Sequence, residues 1–197
     1  MCHPDTRISL GFCSGTYPVG THICLIYRDE RERRRIVRRF VESGLADEEE
    51  VFYFADTPEK PDVVSWLEEM DVDTALSERT SNLRVDRALT TYCPHGSFDP
   101  CEMTDTLRRT YDASRSAGFV HSRVSGEMSW ALHELPGSER LVEYEAMVND
   151  VMVTHPITAM CQYDANRFDG DTVFRALQVH PYMVMGGQIV RNPYYAQ

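Results

Sequence analysis

His22-Ile-Cys-Leu-Ile-Tyr-Arg-Asp-Glu-Arg-Glu-Arg33 turns from an apolar run into a string of charges within one residue. The first six residues read as a buried strand. Asp29, with Glu32 three residues on, reads as a capping box that opens a helix. Behind it Ile36, Val37, Phe40, Val41 and Leu45 recur at helical spacing, and Gly44 marks the expected end. Glu50 to Ala55, with Val-Phe-Tyr-Phe at its centre, is a second buried strand.

The pattern continues along the chain. Pro61 opens a further helix with Val63, Val64, Trp66, Leu67 and Met70 on its inner side, and Leu83 to Leu89 is a weaker strand broken by charges. After a loop through Pro94 and Gly96, Asp99 before Pro100 supplies a cap and a first-turn proline, and Met103, Leu107 and Tyr111 turn that helix to the core. Phe119 to Val124 is the next strand, ending in Gly126, and Ser138 to about Asp150 the next helix. Ile157 to Tyr163 is a strand and Asp171 to Gln178 a helix. Met183–Met185 and Gln188–Val190, joined by Gly186-Gly187, form a terminal hairpin. Alternating strands and helices specify a three-layer α/β fold: a mostly parallel central sheet flanked by helices, with a C-terminal β-hairpin. Residues 1–16 are expected to be an N-terminal extension and 17–197 a single domain.

Composition narrows the function. A formal charge of −11 argues against non-specific nucleic-acid binding. The arginines at 28, 31, 33, 34, 35, 38 and 39 read as a solvated face interleaved with Glu30 and Glu32. No apolar stretch approaches the ~20 residues that span a bilayer, and Met1-Cys-His-Pro-Asp-Thr-Arg7 lacks a secretory pattern. A cytoplasmic location is expected, with six cysteines that read as reduced thiols.

Ser125-Gly-Glu-Met-Ser-Trp-Ala131 resembles the signature of the MEDS family, the sensory domain of methanogens, methylotrophs and the dichloromethane regulator. Gly20-Thr-His-Ile-Cys-Leu-Ile-Tyr27, Tyr144-Glu-Ala146, Cys161-Gln-Tyr-Asp164, His180-Pro181 and Asn192-Pro-Tyr-Tyr195 fit the same family, in order, over roughly residues 17 to 195. The resemblance implies a ligand-sensing module that is often coupled to DNA-binding, kinase or anti-sigma-factor-antagonist domains. It implies no reaction. No helix-turn-helix is expected in the remaining residues, so output is expected through a signalling partner chain or self-association.

The opening of the chain also resembles RecA-like ATPases of the KaiC branch. Their phosphate loop needs glycine, lysine and a hydroxyl between the first strand and helix. Arg28-Asp-Glu-Arg-Glu-Arg33 has none of these. Gly15-Thr-Tyr-Pro-Val-Gly20-Thr-His22 mimics the glycine spacing, but it precedes the strand and has threonine for lysine. The expectation is a RecA/KaiC-like core without a phosphate loop, and not an enzyme.

Strand ends are where parallel sheets present ligand-facing groups. The candidate ligand-binding residues are His22, Cys24 and Tyr27 on the first strand; Arg123, Glu127, Met128 and Trp130 around the fourth; and Gln162 and Tyr163 on the fifth. Arg123 and Glu127 are expected to hold a polar handle or to pair with each other. Met128, Trp130 and Cys24 are expected to offer apolar contact to a small methylated, halogenated or sulfur-containing metabolite. The alternative for Met128, Trp130, Cys24 and Cys161 is core packing. Glu127, Glu143 and Glu145 read as surface charge, and His22 and His180 have no partner legible in the sequence.

No cofactor is expected. Zinc is a subsidiary possibility at Cys93, His95 and Cys101, completed by Cys2 and His3, since sulfur and imidazole nitrogen are zinc donors. The same loop also admits ordinary loop residues or a Cys93–Cys101 disulfide. Two rivals to the sensor therefore stand: a metal or redox switch on this loop, and a vestigial nucleotide-binding or thiol enzyme using Cys93 or Cys161.

Overall fold

The computed structural model describes residues 6–57, 65, 68–70 and 82–196. A small hairpin, β1 (Arg7–Ile8) with β2 (Tyr17–Pro18), precedes the main sheet. Then come β3 (His22–Tyr27), α1 (Glu30–Ala46), β4 (Glu50–Ala55), β5 (Leu83–Arg87), α2 (Ala88–Tyr92) and α3 (Pro100–Ser116). They are followed by β6 (Ser122–Glu127), α4 (Leu141–Thr154), β7 (Thr158–Asp164), α5 (Gly170–Val179), β8 (Tyr182–Met185) and β9 (Gln188–Arg191). Short 3₁₀ turns at Met128–His133 and Ser138–Arg140 lie between β6 and α4.

The seven-stranded sheet runs β5-β4-β6-β7-β3-β8-β9. Every pairing is parallel except the terminal hairpin of β8 and β9. This is the three-layer, mostly parallel α/β architecture that the alternating pattern specifies. On one face α1 buries Ile36, Val37, Phe40, Val41 and Leu45 against Ile23, Leu25, Val51 and Met160. On the other, the helices from α2 to α5 cover Cys24, Val124, Ala159 and Cys161. Residues 6–16 join the first of these cores through Ile8 and Leu10.

Local chemistry explains the departures from expectation. The Asp29 carboxylate caps α1 by accepting from the amides of Arg31 and Glu32, yet the helix runs past Gly44 to Ala46. The fourth strand begins at Ser122, because residues 118–121 are used in closing α3: Phe119 N–H donates to Ser114 O, and Arg115 donates to the carbonyls of Phe119 and Val120. That strand passes through Gly126 and ends at Glu127. A Cβ at Gly126 would lie 2.5 Å from Tyr92 Oη and 2.7 Å from Met128 Cε, so glycine serves close packing there, not a strand end. After Arg87 the chain turns into α2, with the Thr90 and Thr91 hydroxyls donating to Arg87 O. The helix expected to start at Pro61 falls largely outside the described residues; Met70 is buried.

Candidate functional site

Side chains alternate across a strand, so the sheet separates the nine sequence candidates into two groups. His22, Cys24 and Tyr163 face α4 and α5, and Met128 and Trp130, in the turn after β6, pack into that same core. Tyr27, Arg123, Glu127 and Gln162 turn towards α1. Gln162 and Tyr163, adjacent in sequence, therefore belong to different environments.

On the α1 face the carboxyl end of the sheet is filled by side chains. Arg33 Nη1 donates to Tyr53 Oη at 2.9 Å, Gln162 Oε1 at 3.0 Å and Glu127 Oε1 at 3.1 Å. Its Nε donates to Glu30, and the guanidinium lies 5.5 Å from the Tyr27 ring centroid. Glu127 Oε2 accepts from the Asp56 amide. Thus one arginine of the expected solvated face is buried at the carboxyl end of the sheet. Burial pushes the Tyr53 and Tyr27 hydroxyls above their ordinary range, so both remain neutral donors.

Arg123 and Glu127 do not pair with each other. They sit at opposite ends of β6, and each has its own partner. Arg123 is fully buried, donates from Nε to Glu49 Oε2 at 2.5 Å and from Nη1 to Phe40 O at 2.7 Å, and stacks over the Phe40 ring. Being near the start of a parallel strand, it is remote from the strand ends where a ligand would be held.

The other face holds a polar cluster inside an apolar layer. His22, Glu145, Cys161 and His180 are all buried, and one donor atom from each lies within 4.8 Å of the rest. Glu145 Oε2 is 3.2 Å from His22 Nε2, 3.3 Å from Cys161 Sγ and 3.5 Å from His180 Nε2. His22 Nε2 lies 3.4 Å from Cys161 Sγ, and the two imidazole centroids are 4.1 Å apart. Tyr163 Oη donates to Glu145 Oε1 at 2.8 Å. Burial opposes ionisation of Glu145, but His180 and His22 outweigh it and hold the carboxyl well below its usual range. Burial, reinforced by Glu145, pushes the Cys161 thiol well up, and burial together with His180 pushes His22 down.

Glu145 reads as a surface acid in the sequence, and the structure corrects this. It is fully buried, whereas Glu143 is exposed and paired with Arg140. The signal was present: Leu141, Tyr144, Glu145, Val148, Val151 and Met152 form the inward stripe of α4, and an acid on such a stripe needs buried partners. His22 and His180, which show no partner in the sequence, both face this acid.

Two clefts border α4. One, of about 440 Å³, lies beside the Met128–His133 turn and is lined by Ala131, Leu132, Leu135, Leu141 and Phe168, with Glu134, Glu139 and Arg175 among its polar residues. Met128 and Trp130 are not in its wall; both are fully buried, with the indole stacked 4.7 Å from Tyr92 and tilted 4.6 Å from Phe98. The second cleft, about 370 Å³, is lined by residues 18–22, Asn149, Asp150, Met152, Val153, Pro181, Tyr182 and Tyr195, and reaches His22.

The Cys93 loop is dispersed. Cys93 is buried, and that burial raises its thiol to about 11. Cys101 is exposed, and both are free thiols. His95 faces Glu102 at 3.4 Å. Cys2 and His3 lie outside the described residues. Among the described residues, metal-type donors converge at His22, Glu145, Cys161 and His180.

The mostly parallel sheet, with helices on both faces, an arginine network at its carboxyl end on the α1 side and buried polar residues on the other, defines a three-layer α/β domain. The model of the MEDS family, the MEthanogen/methylotroph, DcmR Sensory domain, matches residues 21–181, and the chain belongs to that family. It is 26% identical over 160 residues to the transcriptional repressor DcmR of Methylorubrum extorquens. That match covers 81% of this chain and 57% of the repressor, so the chain spans little more than half of its relative. A KaiC-like protein of Pyrococcus horikoshii has a similar fold, with a TM-score of 0.60 at 14% identity, covering 90% of this chain and 79% of that one. Several of the stretches that carry the family resemblance converge in space: His22, Glu145, Cys161, Tyr163 and His180 build the buried cluster, and Asn192 donates to His180 O. Among the described residues, no helix is long and apolar enough to cross a membrane.

Proposed function

We propose that this domain senses a small, mostly apolar metabolite and passes its occupancy to a signalling protein through protein contacts. Membership of a sensory family and likeness to a transcriptional repressor support the sensory role. One observation carries the ligand reading: the cleft of about 440 Å³ at the carboxyl side of the sheet, apolar along Ala131, Leu132, Leu135, Leu141 and Phe168. Its size suits a metabolite, and parallel sheets bind ligands at that edge. An apolar wall with a few charges selects compounds with a methyl, halogen or sulfur body. Desolvation supplies the affinity, bounded at about 1.5 kcal/mol per heavy atom for so small a ligand.

The test is calorimetric titration with a panel of small methylated, halogenated and sulfur-containing compounds, followed by the Leu132→Trp variant. Leu132 lines the cleft and is 37% exposed, so an indole there fills the cleft without entering the core. A ligand whose binding is lost in Leu132→Trp supports the proposal. Binding that survives the plug, or a panel with no binder, refutes it.

A further inference from the structure

We infer that His22 Nε2, Glu145 Oε2, Cys161 Sγ and His180 Nε2 form a closed four-ligand site for a divalent d-block cation, with zinc the ion best matched to the donors. The argument begins with the protons. His180 Nδ1 lies 2.7 Å from Ala176 O, and a carbonyl can only accept, so that nitrogen carries a hydrogen. His22 Nδ1 lies 3.1 Å from Asn149 Oδ1, and the orientation of this amide follows from its Nδ2 donating to Val179 O at 2.8 Å. Both imidazoles thus spend their Nδ1 hydrogens outwards, and both Nε2 atoms turn inwards with a lone pair.

Those lone pairs meet a carboxylate oxygen and a sulfur. Among the described residues, His180 Nε2 is buried without a hydrogen-bond partner, with Glu145 Oε2 3.5 Å away. Without a cation the Cys161 thiol donates its one hydrogen to Glu145 Oε2, which leaves both imidazole lone pairs facing the same carboxylate oxygen with no hydrogen between them. Protonating both rings would put two cations 4.1 Å apart, centroid to centroid, in a buried site. A divalent cation answers the charge differently: with Glu145 and Cys161 as anions and both histidines neutral, the site sums to zero. Binding displaces the Cys161 thiol proton, which leaves to solvent as the sulfur–metal bond forms.

Geometry agrees with this. Bonds of about 2.0–2.3 Å in a tetrahedron place ligand atoms roughly 3.3–3.8 Å apart. Four of the edges here are 3.2, 3.3, 3.4 and 3.5 Å. The outer contacts expected of a metal centre are also in place: a backbone carbonyl behind His180, an amide oxygen behind His22 and the Tyr163 hydroxyl behind the second oxygen of Glu145. Two imidazoles, a thiolate and a carboxylate suit zinc, and four protein ligands make the site structural, with no open position. The metal would tie β3, α4, β7 and the end of α5 together. The 370 Å³ cleft that reaches His22 offers its way in.

The test uses the 197-residue chain, stripped with a chelator and reloaded. Zinc is expected to bind at about one per chain and to raise the melting temperature, because it binds the folded state in preference. Cobalt in its place is expected to give a thiolate charge-transfer band and the intense visible bands of a tetrahedral centre. Cys161→Ser should abolish the charge-transfer band, and the Cys93→Ser/Cys101→Ser double variant should keep it. X-ray absorption of the wild-type zinc protein, which requires no variant to fold, should show one sulfur and three nitrogen or oxygen neighbours. Absence of stoichiometric binding, a cobalt band that survives Cys161→Ser, or two sulfur neighbours would each overturn the assignment.

Discussion

Replacing Trp130 with alanine separates a core indole from a ligand-contacting one. The side chain is fully buried, stacked on Tyr92 at 4.7 Å with an interplanar angle of 12°, and tilted against Phe98 at 4.6 Å. An indole of about 200 Å², at about 25 cal/mol per Å², contributes roughly 5 kcal/mol as an upper bound. The residual cavity and the lost ring contacts act in the same direction, so Trp130→Ala should cost about 3–5 kcal/mol. Trp130→Phe is the informative companion. Among the described residues the indole Nε1 has no hydrogen-bond partner, so phenylalanine keeps a ring while removing a buried unsatisfied donor. Its cost should be about 1–2 kcal/mol. Urea unfolding followed by far-ultraviolet circular dichroism gives both values, provided the slope is unchanged. Cleft binding should persist in Trp130→Phe, because Ala131 and Leu132 line the cleft and the indole does not. An alanine variant that loses less than about 1 kcal/mol would refute the core assignment. So would a stable Trp130→Phe protein that no longer binds its ligand.

Arg123→Met should destabilise by about 3–5 kcal/mol by stranding the buried Glu49 carboxylate, and adding Glu49→Leu should recover most of it; additive losses in chemical denaturation would contradict the ion-pair reading. Gly44→Ala should also destabilise, by about 1–3 kcal/mol, despite the better helix propensity of alanine. The new Cβ would lie 2.6 Å from Arg123 Nε and 2.9 Å from Val51 Cγ2, and Arg123 is pinned by its hydrogen bonds; a raised melting temperature would show that the arginine yields. Magnesium-ATP should show no calorimetric binding, since the β3–α1 junction has neither glycine nor lysine, Asp29 already accepts from the first-turn amides of α1, and Arg33 packs on Glu127 and Gln162 at the adjoining strand ends; a micromolar affinity would contradict this. Thiol alkylation at pH 8 should label Cys101 rapidly and Cys93 slowly. Burial depletes the Cys93 thiolate until the pH nears about 11, so its rate should climb with pH towards that value, and a plateau well below it would rule out the raised thiol.

The strand–helix alternation was legible because each element carries its own period and punctuation. Asp29 before α1 and Asp99-Pro100 before α3 cap their helices as the residue types dictate. What escaped was set by contacts far along the chain. Gly126 reads as a strand end in isolation, and only Tyr92 and Met128, brought against it by folding, show it to be a packing glycine. The site was half legible for the same reason. Candidates collected by nearness to strand ends mix both faces of the sheet, whereas a period of two separates His22 and Cys24 from Tyr27, and Tyr163 from Gln162. That rule, applied to β3 and β7, places His22, Cys161 and Tyr163 on one face, and the helical period of α4 turns Glu145 inward. The distance between His22 and Glu145 in sequence hid their meeting. An acid buried in an apolar helix stripe and a histidine opening an apolar strand each lack a partner locally, and in a folded core each must find one.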